Sequence, residues 1–144
     1  MRSLLYFSLT LVLLLPFAGT LHAQQKAEDV TDRFFEIYSS KGSDEAVDYV
    51  FATNKWLTQE KATVDALKVQ LKKGIAIIGQ YYGYELIDKK VFGESYVMLS
   101  YMLRYDRQPV KFVFILYKPN DKWQIQNLKL DDRLDDDIEG IKQE

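Results

Sequence analysis

The chain has no cysteine and a single histidine among its 144 residues. Without cysteine it can form no disulfide bond, zinc–thiolate site, iron–sulfur cluster or thiolate nucleophile. It also lacks a surplus of positive charge, because 19 lysine and arginine residues stand against 21 acidic ones. Those positive residues are scattered along the chain, so we expect no nucleic-acid partner.

The N-terminus has the three-part pattern of a secretory signal peptide. One positive charge at Arg2 precedes an apolar run over residues 4–15, and a stretch with small residues ends at Ala23. This order predicts that residues 1–23 are a signal peptide cleaved after Ala23. An uncleaved membrane anchor is the alternative, but the apolar run is short for a span and Pro16 follows it. We therefore predict a secreted or periplasmic protein without a membrane attachment.

Cleavage would also remove the histidine, His22, and leave 121 residues with a net charge of −3. A mature chain without histidine or cysteine excludes Ser-His-Asp and Cys-His catalysis and histidine-ligated metals. We accordingly predict no metal and no cofactor. Residues 24–144 show no linker or repeat, and a chain of this length can bury enough surface to form one domain, 24–144.

Three helices are predicted at the start of the mature chain, because apolar residues recur there every three to four positions. The first helix covers 27–39 and stops before Gly42, where turn residues follow. The second begins near Ser43, and the third runs from Thr58 to Gly74.

After Gly79 the apolar period changes from 3.6 to 2, which is typical of strands. Four strands are predicted over 81–91, 95–105, 110–118 and 122–130. Their connections are too short for crossovers, so the strands should form an antiparallel meander. The sequence thus predicts an α+β fold in which three N-terminal helices pack on a curved four-stranded sheet.

The turns between the strands predict which residues face each other. The expected pairs are Leu86 with Tyr101, Tyr105 with Val110 and Leu116 with Ile125, with a bulge near residues 126–127. With these pairs, one face collects nearly all the large apolar side chains of the sheet. Its members are Tyr82, Tyr84, Leu86, Leu99, Tyr101, Leu103, Tyr105, Val110, Phe112, Phe114, Leu116, Trp123 and Ile125.

This element order, closed by the hairpin segment Leu116-Tyr-Lys-Pro-Asn-Asp-Lys-Trp123-Gln-Ile125, resembles the nuclear transport factor 2-like superfamily. The chain is similar to secreted bacterial members of unknown function. The resemblance implies a cystatin-like cone, with a pocket between helices and sheet and pairing of two copies through the outer sheet face. It implies no single activity, because the superfamily includes isomerases, dehydratases and binding proteins. Members that catalyse with histidine are excluded here.

Aromatic side chains on the helix-facing side are candidates for lining that pocket. They are Phe34, Tyr38, Tyr82, Tyr84, Tyr101, Tyr105 and Phe114. A pocket of this kind would bind a small apolar or amphipathic ligand. The alternative is an ordinary core in which the tyrosine hydroxyls bond to neighbouring groups.

Asp88 is the one carboxylate predicted to lie on the tyrosine face, opposite Leu99. As a general base paired with Tyr101 it would suit a small lyase or isomerase. The alternative is a solvated carboxylate beside Lys89 and Lys90. A third interpretation is a purely structural domain whose cone is filled by aromatic side chains.

The outer face of the sheet carries a second group of apolar residues. They are Met98, Met102, Val113, Ile115 and Tyr117. Exposed patches of this type mark interaction surfaces, and the resemblance implies that the partner on this face is a second copy of the chain, in a homodimer. Cover by the chain's own C-terminal segment is the alternative.

The C-terminal tail, 131–144, is acidic. Its spacing does not match a calcium-binding EF-hand loop. Leu134, Ile138 and Ile141 share one helical face, which instead predicts a short amphipathic helix. Taken together, these features favour a non-enzymatic binding or interaction module, with the Asp88 enzyme and the filled structural domain as alternatives.

Overall fold

The computed structural model describes residues 25–57, 61–131 and 134. Three helices precede four strands: α1 (Ala27–Lys41), α2 (Ser43–Ala52), α3 (Lys61–Ile78), β1 (Tyr81–Phe92), β2 (Tyr96–Tyr105), β3 (Val110–Tyr117) and β4 (Gln124–Asp131). The strands form one antiparallel sheet in the order β1-β2-β3-β4. The predicted α+β fold is therefore confirmed. The proposed signal peptide, the Thr58 helix start and the tail apart from Asp131 and Leu134 lie outside the described residues.

Helix α1 is the main element packed on the sheet. Glu28 and Asp29 lie in its first turn, where the positive end of the helix dipole favours carboxylates. Asp29 also accepts a hydrogen bond of 2.8 Å from the backbone N–H of Lys26. The helix buries one apolar stripe and ends before Gly42, whose φ of 105° lets the chain turn directly into α2.

Helix α3 continues past Gly74, so the predicted stop there is wrong. A glycine inside a helix costs only about 1 kcal/mol, and Ile75 and Ile78 beyond it pack against the core. The helix ends before Gly79, whose φ is +89°. A side chain at Gly79 would also collide with Asp106, since a Cβ would lie 2.8 Å from its carboxylate. No described helix is both long and apolar enough to cross a membrane.

The predicted register is confirmed at the β3–β4 hairpin, where Leu116 pairs with Ile125. A register shift follows immediately, as expected for the bulge near residues 126–127. Between β2 and β3 the prediction is wrong by two residues, because Val110 pairs with Leu103 and not with Tyr105. A shift of two keeps every side chain on its predicted face.

The reason for that shift lies at the end of β2. Tyr105 pairs with Tyr81 of β1. The next residue, Asp106, donates its backbone N–H to Gln80 and accepts from the backbone N–H of Gln80 through its carboxylate. These contacts bind the end of β2 to β1 and leave the β2–β3 connection longer than the sequence indicated.

Strand β1 contains two irregularities that the periodicity did not predict. The register shifts between Tyr81 and Gly83 and again between Leu86 and Asp88. The first shift turns Tyr82 outward, where 56% of it is exposed, and Tyr81 packs against the core instead. The predicted core position of Tyr82 is therefore wrong.

Leu86 keeps its predicted pairing with Tyr101 but is 46% exposed. Its core assignment is wrong because β1 is the edge strand of the sheet. The remaining predicted face positions on β2, β3 and β4 pack into or against the core: Leu99, Tyr101, Leu103, Tyr105, Val110, Phe112, Phe114, Leu116, Trp123 and Ile125.

The centre of the core is aromatic and closely packed. Phe34 and Phe35 of α1 meet Phe112 and Phe114 of β3, and all four are at most 1% exposed. The Phe34 and Phe114 rings lie 5.1 Å apart in an edge-to-face arrangement, the geometry that aromatic pairs prefer. The space between α1 and the sheet is therefore filled by side chains.

Candidate functional site

Hydroxyl groups join α1 to the sheet beside this aromatic core. The pairs are Thr31 with Tyr101, Asp32 with Tyr84, and Tyr38 with Tyr105. Each pair joins a residue of α1 to a tyrosine of β1 or β2. The tyrosines predicted to line a pocket thus have partners inside the fold.

The Thr31–Tyr101 pair has a defined direction. The Thr31 hydroxyl donates its hydrogen to the carbonyl of Glu28 at 2.9 Å, so the Tyr101 hydroxyl donates to Thr31 Oγ1 at 2.6 Å. Burial raises the pKa of Tyr101 to about 12. Tyr101 is consequently a neutral hydrogen-bond donor within the core.

The other tyrosines of this interface are also held neutral. Burial raises the pKa of Tyr105 to about 12, and burial together with the Tyr105 hydroxyl raises that of Tyr38 further. Burial, assisted by the neighbouring carboxylate of Asp32, raises the pKa of Tyr84 to about 12. None of these phenols is therefore poised to lose a proton near neutral pH.

The predicted pocket residues separate into four groups. Phe34, Tyr38, Tyr101 and Phe114 are buried in packed structure. Tyr84 stacks on Phe35 with the ring centres 3.8 Å apart. Tyr82 is exposed and donates to Asp106 Oδ1 at 2.5 Å. Tyr105 is the one member of the predicted set that borders a cavity beside α3.

That cavity lies between α3 and the helix-facing side of the sheet, and its volume is about 320 Å³. Helix α3 contributes Gln70, Leu71, Gly74, Ile75, Ile77 and Ile78; the strands and their loop contribute Tyr105, Gln108, Val110, Phe112, Leu130 and Asp131. Most of these side chains are apolar, with two amides and one carboxylate among them. We call this space the α3 groove.

Helix α3, which forms one wall of the α3 groove, has few buried contacts with the rest of the fold. Within α3 only Leu71 and Ile78 are buried, and Ile77 beside the groove is 65% exposed. Two ion pairs bind the helix to α2, from Lys68 to Asp48 and from Lys72 to Asp44, each at 2.6 Å. Exposed ion pairs contribute little stability, so α3 depends mainly on a few apolar contacts.

The proposed acid–base pair does not assemble. The irregularity at Ile87 places Asp88 opposite Ser100 and not opposite Leu99. Asp88 therefore lies on the outer face, with its side chain 44% exposed and 3.6 Å from Lys90. Tyr101 points to α1 on the other face. The predicted position of Asp88 on the tyrosine face is wrong, and so is its pairing with Tyr101.

A second, open cleft of about 700 Å³ lies at the other end of the sheet, beside the start of α1. Lys89 reaches across it to form an ion pair with Glu28. Burial alone would raise the pKa of Glu28, but the hydrogen bond and charge of Lys89 lower it. The charges of Glu28 and Lys89 thus neutralise each other.

The sequence did not predict a set of hydrogen bonds between the residues that follow α2 and strand β4. We call this set the polar clamp. Asn54 is 1% exposed and donates through Nδ2 to the carbonyl of Ile125 at 3.2 Å. Thr53 Oγ1 accepts from the backbone N–H of Ile125 at 3.0 Å. These contacts hold β4 where it departs from regular pairing with β3. An asparagine just after an apolar helical stripe was the available signal.

The outer-face residues lie where the faces were predicted. Met98 pairs with Ile115, Ser100 with Val113, and Met102 with Lys111. Met98, Met102, Val113 and Ile115 are half-buried, and Tyr117 is 39% exposed. The homodimer through this face stays a prediction.

No family model, curated protein or solved structure matches the chain. Among residues 25–57, 61–131 and 134, no three acidic or histidine side chains gather as metal ligands would. The site therefore has to be interpreted from its own geometry.

Proposed function

We propose that the chain is an exported, non-enzymatic binding module whose α3 groove holds a small apolar or amphipathic molecule. The observation that carries the proposal is the 320 Å³ space left between α3 and the sheet, beside a core that is otherwise filled. Ligand sites are typically concave, mainly apolar and supplied with a few polar groups. The α3 groove has these three properties.

The polar groups in the groove favour an amphipathic ligand over a purely apolar one. Gln70, Gln108 and Asp131 border the groove together with its apolar walls. Amides and a carboxylate can accept hydrogen bonds, so the ligand's polar end is expected to carry a donor such as a hydroxyl or amine. Its apolar part would contact Leu71, Ile75 and Phe112.

Gly74 offers a direct test of this site. Gly74 borders the groove, and an added Cβ there meets no atom within 4 Å, so we expect a larger side chain at this position to reduce the space in the groove. We expect Gly74→Leu to bind the fluorescent probe N-phenyl-1-naphthylamine at least about tenfold more weakly than the parent, a loss of about 1.4 kcal/mol. Gly74→Ala, which adds one methyl group, is the matched control and should keep most of the affinity.

The measurement is a fluorescence titration of protein whose N-terminus has been determined by mass spectrometry, with Gln24 expected. Ile115→Glu on the outer face serves as a second control and should leave probe binding unchanged. Equal affinity of the parent and Gly74→Leu would contradict a site in the groove. Loss of binding only in Ile115→Glu would move the site to the outer face.

A further inference from the structure

We infer that a second copy of this chain pairs with β1 along its free edge, so that two sheets join antiparallel across a twofold axis. Strand β1 is 12 residues long and lies at one end of the sheet. No strand among the described residues pairs with its outer side. A free edge of this length presents unpaired backbone groups to another strand.

The side chains of β1 are unusually apolar for an exposed edge. Five of them are between 43% and 66% exposed: Tyr82, Leu86, Ile87, Val91 and Phe92. Among the described residues, this one strand holds half of the large apolar side chains that are exposed. Natural edge strands are usually protected by charge or irregularity, and β1 has both, at Asp88 and Lys90 and at its two register shifts. Five large apolar side chains nevertheless stay exposed on it, and such a surface indicates a partner.

The irregularity at Ile87 restricts how two β1 strands can pair. Before it, Tyr84 faces α1 and Glu85 faces outward; after it, Lys89 and Val91 face α1 and Lys90 faces outward. In a pair of copies, residues that face α1 must lie opposite residues that face α1, and outward residues opposite outward ones. This holds along the strands only if the two irregularities meet at the twofold axis. A register that separates the irregularities would place inward residues opposite outward ones.

An axis between Ile87 and Asp88 satisfies this condition. It pairs Tyr84 with Val91 on the α1 side and Glu85 with Lys90 on the outer side. The symmetry of the dimer makes each pair occur twice. In the same register Phe92 lies opposite Gly83, whose side-chain position is occupied by the Arg104 guanidinium.

Charge selects this register over its neighbour. Moving the axis by one residue, to between Leu86 and Ile87, also preserves the faces, but it places Glu85 opposite Asp88 of the other copy. Like charges directly opposite each other destabilise a strand pair, whereas opposite charges stabilise it. Among the described residues, the ion pairs that Glu85 and Lys90 make within one chain are long, 3.5 Å to Arg104 and 3.6 Å to Asp88. Both remain more than half exposed.

Charge exchange at Glu85 and Lys90 tests the inference. Light scattering of the purified protein, with its N-terminus determined, should give a concentration-dependent mass of two chains. Glu85→Lys and Lys90→Glu should each weaken dimerisation at least about tenfold, because each places like charges opposite one another twice. An equimolar mixture of the two variants should dimerise again, since both contacts become attractive in the mixed pair. The double variant should recover dimerisation as well.

Lys129→Glu, an exposed charge change on β4, is the matched control and should leave the mass unchanged. Circular dichroism of each variant shows whether it has folded. A parent that is monomeric at all concentrations would overturn the inference, and so would single variants whose mixture stays monomeric. Dimers that are lost in Ile115→Glu but unaffected by both edge variants would assign the contact to the outer face.

Discussion

At the scale of single residues, the tyrosine surplus of the sequence has a structural use. Tyr38, Tyr101 and Tyr105 are each less than 10% exposed, and their hydroxyls are bonded across the interface between α1 and the sheet. Each ring contributes apolar contact area while its hydroxyl fixes the position of the helix. These residues specify the fold beside the groove and leave the groove walls mainly aliphatic.

The Thr31–Tyr101 hydrogen bond makes two unequal predictions. Tyr101→Phe should lower the free energy of unfolding by about 1 kcal/mol, because Thr31 still donates to Glu28. Thr31→Val should cost more, about 1–3 kcal/mol, since it leaves the buried Tyr101 hydroxyl without its acceptor. Urea unfolding monitored by circular dichroism measures both changes.

Tyr96→Phe is the control, because Tyr96 is 39% exposed and its hydroxyl should contribute little. The double variant should cost less than the sum of the single ones, as expected for residues in contact. Equal costs of Thr31→Val and Tyr101→Phe would contradict the donor assignment.

At the scale of elements, the polar clamp at Asn54 explains how α2 is joined to β4. The Asn54 side chain also accepts the backbone N–H of Trp56 at 3.1 Å, so one buried amide orders both the loop and the strand. Asn54→Ala should lower the free energy of unfolding by about 1–3 kcal/mol, because it leaves buried backbone groups without partners. Urea unfolding is again the measurement.

Asn127→Ala supplies the comparison on the same strand, since Asn127 is exposed. It should change stability by no more than about 0.5 kcal/mol. A cost for Asn54→Ala as small as that for Asn127→Ala would show that the clamp is dispensable.

The order of elements and most faces of the sheet could be predicted because apolar periodicity records which side chains leave water. Leu99, Phe112 and Phe114 are examples, and all are buried as expected. The irregularities of β1 could not be predicted from periodicity, because one extra residue reverses the faces without changing composition. Gly83, with a φ of +133°, was the available signal for the first irregularity. Nothing comparable marks Ile87, and the Asp88 hypothesis failed there.

The position of the groove also could not be predicted from apolar periodicity. Apart from Tyr82, the sequence grouped the aromatic residues correctly on the helix-facing side, but it could not show that side chains of α1 fill the space between that helix and the sheet. The groove depends on how closely α3 approaches the sheet, and that distance is set by the buried Leu71 and Ile78 together with partly buried residues such as Ile75. Such spacing follows from the packing of whole elements.

At the scale of the whole molecule, the buried tyrosines beside α1 make the stability of the fold depend on pH. The α1 side is dense and contains Tyr38, Tyr101 and Tyr105, whose pKa values burial raises above the ordinary value near 10. In the unfolded chain these phenols ionise near pH 10, while in the folded protein they stay neutral to about pH 12 or beyond. The folded state then binds more protons than the unfolded state, so stability must fall as the pH rises through this range.

We therefore expect the free energy of unfolding to be nearly constant from pH 7 to 9 and to decrease between about pH 10 and 12. Each of the three tyrosines contributes a slope of at most about 1.4 kcal/mol per pH unit. Urea unfolding across this range gives the slope, and ultraviolet absorbance of tyrosinate shows whether the buried phenols ionise only as the protein unfolds. A Tyr38→Phe/Tyr105→Phe variant should show a shallower decrease than the parent. An identical decrease in both would mean that other groups cause it, because removing two buried phenols removes the protons on which the expected slope depends.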